Sequence, residues 1–270
     1  MPAINLTRLR ARFKLLQLQI EDPVEFTRSL REIYIFHADL THPAGNTPTG
    51  VSIFPVFNTP MLLTSEVVKF LSPFIKERPL LMLQIIDRLW LEPEIELREL
   101  AARLLGRLPS SHFSEVVTRI QAWSRVENDA ELLPILHQQA STTIRQESPN
   151  LWLDVLNGWN SADEPWLAKL ALDGTIPLID DHNFDNLPAI FTFISPLILN
   201  PEPQNQYELL RVIEHLSRRS EIETVYFLKQ VMSLSTAPGM GRFLRRAIEL
   251  FSPSMQESLR IVMRQRHLPQ

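Results

Sequence analysis

Three arginines, Arg242, Arg245 and Arg246, follow Gly239 and Gly241 closely. Guanidinium groups form planar, two-pronged bonds to phosphate. A helix opening at these glycines would add free N–H groups and the positive end of its dipole. The pattern predicts an anion site, set against the plainer reading of a solvated cationic face. Trp152, Trp159 and Trp166 recur every seven residues and could stack on exposed bases. The break at Asn160-Ser161 separates Trp159 and Trp166, so core packing is the favoured role for at least two of the three. Asp180, Asp181, His182 and Asp185 offer ligands for a hard divalent cation. Helix capping is the favoured role of that cluster, and no metal site is expected. The seven histidines show no four-residue helical spacing of the kind a zinc site uses. Cysteine is absent, which excludes thiol catalysis, disulfides and thiolate metal centres. No serine sits in a Gly-x-Ser-x-Gly elbow, and Pro238-Gly239-Met240-Gly241 lacks the Lys-Ser/Thr of a phosphate loop. No cofactor is implied.

The elements that must position these residues are helical. Of 270 residues, 44% are hydrophobic, with 7 glycines and 21 prolines. That supply of apolar side chains can bury a core, and the scarcity of glycine disfavours hairpin-rich β folds. Proline and capping residues mark helix starts. Asp22-Pro23 reads as an N-cap followed by proline at the first helical position, with Glu25 completing a capping-box pattern. Phe26, Leu30, Ile33 and Phe36 then repeat at helical spacing. Pro79 and Pro93 open further helices, and helical patterns continue roughly over 111–125, 129–145, 149–159, 163–178, 186–199, 204–218, 221–233, 241–251 and 253–266, with ends good to about 2–4 residues.

Between Asp39 and Pro60 the breakers are too dense for a helix. This stretch is expected to be a strap packed through Val51, Ile53, Phe54, Val56 and Phe57. The segment from Ile95 to Ala101 resembles that from Pro165 to Ala171 at an offset of 70, and Arg242 to Ile248 resembles both at a further 77. Half of either offset approaches a helix-pair repeat of about 34–47 residues. The expectation is an all-α, right-handed α-solenoid of HEAT-like repeats forming one domain. Residues 1–60 would be a helical cap with a long loop, and 61–270 the repeats.

Leu89-Trp90 followed by Glu96, Arg98, Ala101, Ala102 and Leu104-Leu105-Gly106 resembles a segment of the HEAT-like bacterial DNA alkylation-repair family. Trp159-Asn160-Ser161, then Trp166-Leu167, Lys169 and Ala171, is similar to a second family segment in the same order. The resemblance covers roughly residues 80–179. It implies a curved solenoid whose active members excise alkylated bases with a carboxylate, an arginine and aromatic residues. The arginine falls on Lys169, and the carboxylate on Asp129 or Glu131. Trp123, Trp159 and Trp166 become the candidate binding aromatics. Lysine keeps the charge but loses the planar fork, so the resemblance implies weak or absent base excision.

Charge is uneven although the net is only −4. From Ser161 to Leu210 one base, Lys169, stands against eight acids. From Arg211 onward ten bases, nine of them arginine, stand against five acids. Two partners follow: duplex DNA on a basic concave face, or a protein partner on an acidic or apolar groove. A monomer in the cytoplasm is expected. The longest apolar run, Leu187–Leu199, is broken by Pro188 and Pro196 and is shorter than the roughly 20 residues a membrane span needs.

Overall fold

A computed structural model describes residues 4–39, 53–126, 129, 131–234 and 239–265. Val51 and most of the expected strap lie outside the described residues. Those described are helical, without strand, as the proline-punctuated periodicity requires. Their contacts form two compact units, Met1–Ser148 and Pro149–Gln270.

The first unit carries α1 (Leu6–Gln17), α2 (Pro23–His37), α3 (Met61–Glu77), α4 (Pro79–Trp90), α5 (Ile95–Leu105), α6 (Phe113–Val126), α7 (Leu132–Ala140) and α8 (Thr142–Glu147). The Asp22 side chain accepts from the N–H groups of Val24 and Glu25, satisfying helical donors that otherwise have no partner. Glu25 does not close the box; its carboxylate pairs with Arg28 at 2.5 Å. Phe36, expected on the buried face of α2, is 64% exposed. One element was not foreseen: α3, which contains Pro73. The single helix expected over 129–145 is two, parted at Ser141. Helices α3, α5 and α7 pack in series, with α2 and α4 alongside. The α5–α7 approach is close because Gly106 has no side chain. A Cβ there would lie 1.8 Å from the carbonyl oxygen of Gln139.

The described end of the strap is held on α5. Glu96 accepts from the backbone N–H groups of Phe57 and Asn58 at 3.1 and 2.7 Å. The Arg98 guanidinium lies 4.0 Å from the centre of the Phe54 ring. Ile53 contributes its backbone rather than its side chain, which is exposed.

The second unit carries α9 (Pro149–Asn160), α10 (Pro165–Ile179), α11 (Leu187–Leu199), α12 (Gln206–Arg219), α13 (Glu221–Leu234), α14 (Met240–Ile248) and α15 (Pro253–Gln265). Helices α10, α12 and α14 pack in that order as one layer, and α11, α13 and α15 as a second. Successive helices alternate between the layers, the mark of stacked helical repeats. Pro177 and Pro196 sit in the last turns of α10 and α11, where each removes one i→i−4 hydrogen bond close to the point at which the helix ends. Among the described residues no helix is long and apolar enough to cross a membrane.

Candidate nucleic-acid interface

Asp129, one of the two candidate carboxylates, is 1% exposed. One of its oxygens accepts from the N–H groups of Glu131 and Leu132, both at 2.9 Å. The other accepts from Ile53 N–H at 2.8 Å. The side chain thus caps the start of α7 and ties it to the strap, a structural employment of a buried carboxyl group. Glu131 is half-buried and lies near the acids of α5. The Glu99 carboxyl is pushed up, first by burial and then by Glu96 and Glu131, against the opposing pull of Arg103.

Trp123 is buried, its ring stacked on Trp90 with centroids 4.2 Å apart and planes 4° from parallel. Trp152 and Trp159 are also buried, meeting edge to face at 5.6 Å. Trp152 donates its indole N–H to the Gly174 carbonyl at 3.0 Å, which satisfies the one polar group a buried tryptophan carries. Trp166 is half-buried and donates to the Glu164 carboxylate at 2.5 Å.

Lys169 is 45% exposed in its side chain and lies 3.9 Å from Glu208 of α12. One turn along α10, Asp173 accepts from Arg211 at 2.7 Å. Helical spacing puts Trp166, Lys169 and Asp173 along one side of α10, and α12 supplies Glu208 and Arg211. Burial pushes the Asp173 carboxyl up to about 6, although Arg211 and Lys169 pull it down; Glu208 adds to the rise. One Glu208 oxygen is buried without a hydrogen-bond partner. Two cations face two carboxylates, so the charge of Lys169 is balanced locally. Sequence reasoning reached Lys169 and missed its three companions. The four-residue step from Lys169 to Asp173 was a visible signal; Glu208 and Arg211 join only through the α10–α12 packing.

The arginines of α14 are different. Arg242, Arg245 and Arg246 are all exposed. Their spacing places them within an arc of about 100°, opposite the buried Phe243, Leu244, Ala247 and Ile248. None is ion-paired among the described residues. Other bases of this region are committed: Arg211 to Asp173, Arg218 to Glu214, Arg219 to Asp185 and Arg264 to Glu257. Gly239 does stand before α14, at a φ of 89° that only glycine adopts easily.

The Asp180–Asp185 segment is held together by ordinary contacts. Asp180 meets His215 at 2.7 Å, Asp181 accepts from Asn183, and Asp185 meets Arg219. Among the described residues, no three metal-ligating side chains gather.

Comparison with protein-family models matches residues 62–251 to the family described as DNA alkylation repair enzyme. No curated protein and no solved structure matches the chain.

Proposed function

The chain belongs to the DNA alkylation repair enzyme family, and on that premise we propose that it binds duplex DNA through the α10–α12–α14 layer, with base excision weak or absent. The carrying observation is the exposed arginine stripe of α14, not ion-paired among the described residues, in the same layer as Lys169. Cations left without carboxylate partners are available to phosphates, and each phosphate neutralised releases counterions. Net negative charge does not oppose this, because exposed charges are screened over about 8 Å at physiological salt.

Weak excision follows from the carboxylates. Stabilising a cationic sugar requires a carboxylate placed against it with little error. Asp129 is buried and occupied by backbone donors, and Lys169 is balanced by Glu208. The test is release of alkylated base from a methylated duplex, measured in the same samples as binding. Binding without release is expected. Release abolished by Glu131→Gln would refute the non-catalytic reading.

A second reading, a protein-interaction scaffold, draws on the other layer. An apolar groove of about 830 Å³ runs between α11 and α13, lined by Phe191, Ile222, Tyr226 and Phe227. It gains ground if the protein fails to bind duplex DNA even at low salt.

A further inference from the structure

Helix α1 carries Arg8, Arg10, Arg12 and Lys14 and no acid. None of the four is ion-paired among the described residues. Arg12 lies 3.9 Å from the centre of the Phe36 ring, on the α2 side. Arg10 and Lys14 instead line a groove of about 320 Å³ against α3, where Lys69 adds a third cation and Glu66 a single acid. Arg10, Lys14 and Lys69 are exposed. Phe13 and Phe70 also line the groove, their rings stacked at 4.7 Å. Phe13 is buried, whereas Phe70 is half-buried and keeps part of its surface open.

We propose that the α1–α3 groove binds a single strand of nucleic acid, its phosphates on Arg10, Lys14 and Lys69 and a base or sugar against Phe70. Single-strand sites combine cations that follow the backbone with aromatic rings that take bases in any sequence. Three cations against one carboxylate match a polyanion in sign. A bilayer surface is a poorer match, because Leu9, Phe13 and Leu16, the apolar face such a helix would insert, are buried. The groove belongs to the first unit and the α14 stripe to the second. Arg10, Phe13 and Lys14 precede the residues matched to the family, whereas Lys69 and Phe70 lie within them.

The test is fluorescence anisotropy with a labelled oligothymidylate of about 15 nucleotides, within the range of known single-strand sites. The full chain is compared with Arg10→Ala/Lys14→Ala/Lys69→Ala and with Arg242→Ala/Arg245→Ala/Arg246→Ala. The first variant is expected to bind at least about tenfold more weakly. Its log–log salt slope is expected to be shallower by about 2, from about 0.7 for each of three phosphates. The second variant is expected to bind the single strand as the wild type does. Phe70→Leu is expected to weaken binding about fivefold or more, the low end of a base-stacking loss. Equal binding by wild type and the α1–α3 variant overturns the proposal. Capture by phosphatidylserine vesicles but not by the oligonucleotide does so as well. Duplex binding, measured in parallel on both variants, reports the α14 reading separately.

Discussion

Replacing Asp173 by asparagine is expected to stabilise the protein at neutral pH. The carboxyl ionises at about 6 in the fold against an ordinary 3.8. At about 1.4 kcal/mol per pKa unit, holding it ionised costs the native state about 3 kcal/mol. Burial is the leading cause, and the Arg211 ion pair at 2.7 Å offsets only part of it. A carboxyl whose pKa is raised by folding takes up protons on folding between the two values. Its contribution therefore favours the fold at low pH and is lost as pH rises through about 6. Asparagine resembles the protonated form and can still accept from Arg211, so the variant escapes the cost. Urea unfolding at about pH 7.5 is expected to show a gain of about 1–3 kcal/mol, up to about 1 M in the midpoint. The gain is expected to shrink on acidification to about pH 4. A variant less stable than wild type at neutral pH, by an amount that shrinks as acidification protonates the wild-type carboxyl, would refute the reasoning. It would mean that the ion pair outweighs desolvation.

Other substitutions probe the remaining parts of the account. Asp129→Ala strands three backbone N–H groups and is expected to cost about 2–3 kcal/mol by chemical denaturation; unchanged stability would remove the capping role. Gly106→Ala drives a methyl group into the Gln139 carbonyl and is expected to lower stability by about 3 kcal/mol, read from the thermal midpoint. Lys169→Arg supplies the planar fork but no carboxylate, so release of alkylated base is expected to stay at background. A rise of tenfold or more, measured on methylated duplex, would show that the side chain alone limits catalysis.

Local signals in the sequence carried the helical architecture well. Asp22 caps α2, and prolines open α4, α10 and α15, because a proline ring is pre-set for the first helical position. A different property of proline, its missing N–H inside a helix, hid α3. Pro73 reads as a breaker, yet the repeat of Val67, Leu71 and Ile75, all buried, outweighs it. The split at Ser141 was hidden by continuous apolar spacing. Asp129 illustrates a limit of another kind. Its type and position invite a catalytic reading, whereas Ile53, one of its partners, lies 76 residues away. Asp173 needs Arg211 across 38 residues and Arg31 needs Glu94 across 63. Such pairs depend on which helices become neighbours, and periodicity records only which face of a helix is apolar. The exposed α14 arginines were legible because one helix fixes their geometry by itself.

The salt dependence of duplex DNA binding tests the central claim most directly. Wild-type protein is expected to bind at low salt and to lose affinity steeply as salt rises, with a log–log slope of about −0.9 per phosphate contact. Arg242→Ala/Arg245→Ala/Arg246→Ala is expected to flatten that slope by up to about 2.7, while its circular-dichroism spectrum stays helical. Wild-type protein that binds no duplex at low salt, or a variant whose slope is unchanged, would contradict the assignment of this layer to DNA.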